Sequence, residues 1–313
     1  MVTGVAGFVG SNIAARLLSD GHEVLGIDSL TTYYDPSLKL RNLERLSSPS
    51  FSFIQEDLLT ADLAELLQGT EVIFHEAGQP GVRSSWGKDF ALYTDANINA
   101  TQRLLEAAVN ITTLRRLVYA SSSSVYGNAE RYPTSELDRP EPISPYGVTK
   151  LAAEHLCSLY AHNYNLPTVS LRYFTVYGPG QRPDMAFTRF CLAAANDEVI
   201  TIFGSGQQIR DFTYIDDVVE ANMLAASSEV APGTVLNVAG GSNISVNEVL
   251  DILGELNESA LKVNYTGKVL GDVQRTGGST ERINAVLGWT PQVDLRTGLS
   301  RHLAWAKSVG VSA

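Results

Sequence analysis

Gly4-Val5-Ala6-Gly7-Phe8-Val9-Gly10 is the stretch whose reading decides the fold. Its three glycines recur at every third position, and from Ser11 to Leu18 the residues Ile13, Ala14, Leu17 and Leu18 fall on one helix face. Glycine permits a tight turn and lets backbone approach a ligand closely. A helix N-terminus adds unpaired N–H groups and the positive end of a dipole, so a turn over Gly4, Gly7, Phe8, Val9 and Gly10 suits a dinucleotide pyrophosphate. The same stretch alone also fits a plain strand–helix turn, and the reading leans on the strand after it.

His22 to Asp28 reads as that strand, ending in an acid 18 positions after Gly10. A carboxylate at that place accepts from ribose hydroxyls and repels a 2′-phosphate, which favours NAD over NADP. Phe51–Gln55, Glu71–His75, Leu114–Ala120 and Thr168–Phe174 read as further strands. Helices are expected over Asp95–Val109, with Ile98, Leu104, Leu105 and Ala108 inward, and over Pro145–Asn163. This alternation predicts an α/β fold, a Rossmann-type doubly wound parallel sheet with a smaller C-terminal substrate-binding domain. Composition shifts after Phe174, where Pro179, Gly180 and Pro183 mark a loop. The expected division is 1–175 with a return segment near 211–240, against 176–210 and 241–313.

The 313 residues are 44% hydrophobic and 18% charged, the profile of a soluble globular chain of one or two domains. A net charge of −11 argues against nucleic acid or an anionic membrane as partner. Cys157 and Cys191 match no metal or redox spacing and read as reduced, buried thiols. No apolar run is long enough to span a bilayer and no secretory signal is seen, so a cytoplasmic location is expected.

The chemistry concentrates in Ser121-Ser122-Ser123-Ser124-Val125-Tyr126-Gly127 and in Ser144-Pro145-Tyr146-Gly147-Val148-Thr149-Lys150. Tyr146 and Lys150 are four apart and share a helix face. A nearby ammonium favours a charged phenol, so Lys150 is expected to lower the Tyr146 pKa from about 10. A phenol so tuned takes a proton from a sugar hydroxyl near neutral pH, with a serine hydroxyl sharing the hydrogen bond. An isolated Tyr-x-x-x-Lys carries little weight, since such pairs arise by chance.

Together these motifs resemble the extended short-chain dehydrogenase/reductase superfamily, and within it the nucleotide-sugar epimerases, from Gly4 to about Trp305. Relatives carry more apolar residues before the first glycine than Met1-Val2-Thr3 supply. The resemblance implies NAD as cofactor, a nucleotide-sugar substrate, no metal, and a homodimer formed by the two helices above. It makes Ser122 the catalytic hydroxyl, Tyr146 the base and Lys150 its partner and a ribose contact. Asp57 and Leu58 become adenine-side contacts, and Ala77 and Gly78 the small residues beside the cofactor. Asn99 becomes a structural hydrogen-bonder near the cofactor; His75 reads as a packed strand-end histidine.

On the substrate side the resemblance points to Arg83 and to Thr175 and Arg182, in a run like that of UDP-glucuronate 4-epimerases. Thr201 and Phe203 resemble a uracil-pairing segment, Arg210 a diphosphate contact and Asp272 a ribose contact. The arginine usually found shortly before that Asp is missing, and Lys268 or Arg275 is the expected substitute. Related dehydratases and decarboxylases place acids where this chain has Ser123 and Ser124, which favours epimerisation. A UDP-glucose/galactose 4-epimerase stays open as an alternative, behind it a UDP-glucuronate decarboxylase, and last a non-catalytic NAD sensor.

Overall fold

Val2 and Thr3 form β1, a two-residue strand that nonetheless sits mid-sheet between two parallel neighbours. The structure, a computed structural model, describes residues 1–267 and 273–310. After β1 come β2 (Val24–Ile27), β3 (Phe51–Ile54), β4 (Val72–His75), β5 (Arg116–Ser122) and β6 (Thr168–Tyr173). Next are the short strands β7 (Thr175–Tyr177), β8 (Val199–Phe203), β9 (Ile209–Arg210) and β10 (Phe212–Tyr214). The last are β11 (Thr234–Val238), β12 (Ile244–Ser245) and β13 (Lys262–Thr266). The main sheet runs β11-β6-β5-β4-β1-β2-β3 with every pair parallel. The remaining strands pair as β10–β7, β12–β9 and β13–β8.

Both faces of the main sheet are covered, as period-2 alternation along β5 shows. Leu117 and Tyr119 pack with Leu104, Leu105, Ala153 and Cys157 from the helices on one face. Val118 joins Phe8, Ile13 and Ala14 of the Phe8–Ser19 helix and Val218 of the Ile215–Ser227 helix on the other. All seven residues of β5 are buried, so this central strand carries its last residue, Ser122, to the sheet's carboxyl edge. Strand order reverses between β1 and β4, and doubly wound sheets bind ligands in the crevice outside such a switch point.

Two elements differ from expectation. The serine run does not follow the strand: Ser121 and Ser122 lie in β5, and Ser123–Val125 form one 3₁₀ turn. The helix expected from Asp95 starts at Phe90 and runs through a π segment, Thr94–Asn99, into Ala100–Ala108. Such π segments are rare and occur mostly at functional sites. The Pro145–Tyr164 helix is capped by Ser144, whose side chain accepts from Gly147 N, and Pro145 begins it. Those two residues fix where the first turn, and hence Tyr146, is placed. Among the described residues no helix is long and apolar enough to cross a membrane.

Candidate active site

The glycine turn is shaped by close approach. Gly4 has φ +65°, and a Cβ there would lie 2.7 Å from Ala77 N; a Cβ on Gly10 would lie 2.3 Å from Gly4 O. Gly7 caps the helix without a side chain, and no acid occupies the first turn. The first-turn amides thus have no acidic side chain of their own helix to pair with, the setting in which a helix N-terminus takes an anion. Asp28 stands at the end of β2, its carboxylate accepting from Ala6 N (3.1 Å) and Leu30 N (2.8 Å). Lys39 Nζ lies 3.9 Å from it. A cradle of amides closed by an anchored acid fits a dinucleotide. Asp57 is exposed at the end of β3, its carboxylate accepting from Leu59 N, and Leu58 is buried.

Ala77 and Gly78 lie two and three residues after β4. Ala77 N donates to Thr3 Oγ1, and a Cβ on Gly78 would lie 2.8 Å from Asn97 Oδ1 and 3.9 Å from Lys150 Nζ. Asn97 is the residue that ties this segment down. It accepts from Gln79 N (2.7 Å) and donates to Gln79 O (3.1 Å) and Thr149 Oγ1 (2.9 Å). The structural role expected of Asn99 therefore belongs to Asn97. Asn99 is exposed and donates to Asp95 on its own helix. The sequence does carry a signal for this: Asn97 and Thr101 are four apart, in line with Leu104, Leu105 and Ala108 on the buried stripe. Counting half-buried Ile98 as the inward residue turns the face toward Asn99 instead.

His75 is a packed residue, bonded to Thr3 Oγ1 and Thr101 Oγ1 at 2.8 and 2.9 Å, and burial drives its pKa down to about 3. Thr101 Oγ1 gives its proton to Asn97 O, so it accepts from His75 Nε2–H, and Nδ1 in turn accepts from Thr3 Oγ1.

The Tyr146 phenol lies near the Ser122 hydroxyl, which favours its charged form, and stands edge-on to Tyr93. Its pKa is raised, against expectation. Burial penalises the phenolate more than the Ser122 hydroxyl and the Arg182 charge favour it. The Lys150 ammonium is itself buried, 4.5 Å from the Tyr119 ring centroid, and burial brings it down to about 8, opposed by the carboxylates of Glu76 and Glu154. Desolvation acts on both partners, which a spacing of four residues does not reveal.

One turn past Lys150, Glu154 accepts from Ser121 (2.6 Å) and from Arg172 Nε and Nη2 (2.9 and 2.6 Å). Arg172 also donates to Tyr126 OH, which donates to Asn237 Oδ1. Ser121 is therefore committed to a buried network and Ser122 faces Tyr146.

Ser123, Ser124, Thr175, Arg83 and Arg210 line one cavity of about 170 Å³. Arg83 lies with its guanidinium carbon 4.4 Å from the Phe203 ring centroid, and Arg189 approaches the same ring at 5.7 Å. Thr201 lies in β8 two residues before Phe203, and Arg210 ends β9. Arg182 donates from Nε and Nη2 to both carboxylate oxygens of Asp184 at 3.0 and 3.1 Å. Arg275 is exposed over Tyr132, 4.7 Å from its ring centroid. Lys268 and Asp272 lie outside the described residues.

Known proteins of the same construction carry related names. An uncharacterized UDP-glucose epimerase, YtcB, of Bacillus subtilis (strain 168) is 43% identical over 99% of this chain and 98% of its own. A probable UDP-glucuronate 4-epimerase of Rhizobium meliloti (strain 1021) is 38% identical over 97% and 96%. The crystal structure of UDP-glucuronic acid 4-epimerase from Bacillus cereus, in complex with UDP-glucuronic acid and NAD, superposes with a TM-score of 0.95. It is 41% identical, over 98% of each chain. The sequence model of the NAD dependent epimerase/dehydratase family matches residues 1–239. That match spans more than half of the chain, which belongs to the NAD dependent epimerase/dehydratase family.

Proposed function

We propose that this protein is an NAD-dependent UDP-hexuronate 4-epimerase, interconverting UDP-glucuronate and UDP-galacturonate through a 4-keto sugar. The observation that carries the reading is the setting of Tyr146. The Arg182 charge acts on its phenol, and Thr175, Ser123 and Ser124 line a cavity together with Ser144, the cap of the helix that carries Tyr146. A hexuronate differs from a hexose by a C6 carboxylate, and hydroxyls with a guanidinium are the groups that recognise one.

NAD, when bound, supplies the acceptance and return of hydride at the sugar C4. Gly4, Gly7 and Gly10 with the amides of Phe8 and Val9 hold its pyrophosphate, and Asp28 the adenine-side ribose. Asp57 and Leu58 lie on its adenine side, and Ala77 and Gly78 leave it room. Tyr146 takes the O4 proton, with Ser122 sharing the hydrogen bond, and returns it after the sugar turns. Lys150 holds the nicotinamide-side ribose and supplies positive charge. Ser123, Ser124, Thr175 and Arg182 hold the C6 carboxylate away from alignment with the 4-keto group, since an aligned β-keto acid loses CO₂. Phe203 and Thr201 face the uracil, and Arg83 and Arg210 the ribose-diphosphate.

We assign the assembly as a cytoplasmic homodimer. Val148 (47% exposed) and Leu159 (53%) lie three turns apart on one helix, with Leu92 (59%) on its neighbour. Light scattering of Leu159→Glu, expected to give a monomer, tests it.

Separate incubation with UDP-glucuronate and UDP-glucose, with products resolved, tests the activity. Conversion of UDP-glucuronate to UDP-galacturonate is expected. Exclusive turnover of UDP-glucose would move the assignment to the neutral-sugar reading that the B. subtilis relative's name favours. A decarboxylated pentose as sole product would make it a decarboxylase.

A further inference from the structure

Glu76 comes immediately after β4 and carries a carboxylate into the crevice side of the sheet. Its carbonyl carbon would lie 2.9 Å from a Cβ on Gly4, so it abuts the glycine turn. The strand order β5-β4-β1 puts it between that turn, after β1, and Ser122, at the end of β5. It therefore sits on the line from the anion cradle to the reacting groups. Tyr173 OH donates to its Oε1 at 2.8 Å, while Asn222 Nδ2 donates to Tyr173 at 2.8 Å. Among the described residues it has no ion pair, although its charge and that of Lys150 act on each other. Burial raises its pKa to about 7, so a substantial share is ionised at neutral pH. A desolvated carboxylate with no ion pair is costly, and a ligand carrying positive charge relieves that cost.

We propose that Glu76 tunes the bound dinucleotide, favouring the oxidised form, whose nicotinamide is a cation, over the reduced form, which is neutral. The inference rests on the reading of this site as NAD-dependent. It assigns Glu76 a tuning role: the carboxylate stabilises positive charge on the cofactor and moves no proton of the sugar.

The test is a partition experiment that needs no turnover. Holoprotein is equilibrated with equimolar NAD⁺ and NADH, freed of unbound dinucleotide, and the bound mixture quantified after denaturation. Glu76→Gln, which keeps the Tyr173 hydrogen bond without the charge, is expected to raise the bound NADH:NAD⁺ ratio about tenfold. For a two-electron couple that is about 30 mV. Glu76→Leu is expected to move it the same way. A ratio within twofold of wild type in both variants overturns the proposal and leaves Glu76 as an acceptor for Tyr173. Failure of both variants to fold with dinucleotide bound also overturns it, since Glu76 is then a stability residue. Wild type that retains neither dinucleotide sinks the underlying cofactor reading, whereas wild type that partitions NAD but turns over no UDP-sugar sinks only the epimerase assignment.

Discussion

The glycine turn and the sugar cavity share one edge of the sheet but are built by different means. The turn is backbone: Gly4, Gly7 and Gly10 act by lacking side chains, within seven consecutive residues. The cavity is side chains, gathered from segments after β4, β5 and β13 and from the strands β7 and β9. A backbone site tolerates almost no added atom, whereas a side-chain site can exchange one hydroxyl for another and change its preference. On the proposed function, the dinucleotide half is the fixed part of this molecule and the cavity the part that sets substrate choice.

The largest effect is expected where the two halves meet. Tyr146→Phe removes a proton acceptor and nothing else, so turnover should fall about 10²–10⁴-fold. Thermal stability and NAD content should stay near wild type. A variant keeping half the wild-type rate would show that the base lies elsewhere.

Next comes the backbone half. Gly10→Ala puts a Cβ 2.3 Å from Gly4 O, a contact only backbone movement relieves. Overpacking of this kind costs about 1–3 kcal/mol, and the displaced turn should lose NAD as well. Unchanged melting temperature with full NAD content would break the contrast between the halves.

Arg182→Ala examines the side-chain half. A hydrogen bond to a charged group is worth about 1.5–3 kcal/mol, so kcat/KM for UDP-glucuronate should fall about ten- to a hundredfold. Neutral UDP-glucose should change far less. If the ratio of the two stays within about threefold of wild type, Arg182 does not read the carboxylate.

Legibility in the sequence divides along the same line. The glycine turn, Asp28 and the Tyr146–Lys150 spacing are local patterns, and the parallel sheet is implied by strands alternating with helices. The raised Tyr146 pKa is not legible, because it depends on burial created by Tyr93 and other distant residues. Nor is the Glu154–Arg172–Tyr126 network, whose members lie up to 46 positions apart and meet only after β5 and β6 pair. The Glu76–Tyr173 bond is not legible either, because its members lie 97 positions apart.

The smallest expected effects come from Asn97 and Asn99, two positions apart on one helix. Asn97→Ala strips partners from Gln79 N, Gln79 O and Thr149 Oγ1, and a buried group left unpaired costs about 1–3 kcal/mol. The segment carrying Ala77 and Gly78 loosens with it, so NAD retention should weaken alongside melting temperature. Asn99→Ala loses one exposed bond to Asp95 and should stay within about 0.5 kcal/mol of wild type. Side-by-side melts with and without added NAD decide the matter. Equal losses in the two variants would mean that the π segment, not the buried amide, orders the cofactor side, and that its register shifts when either asparagine is removed.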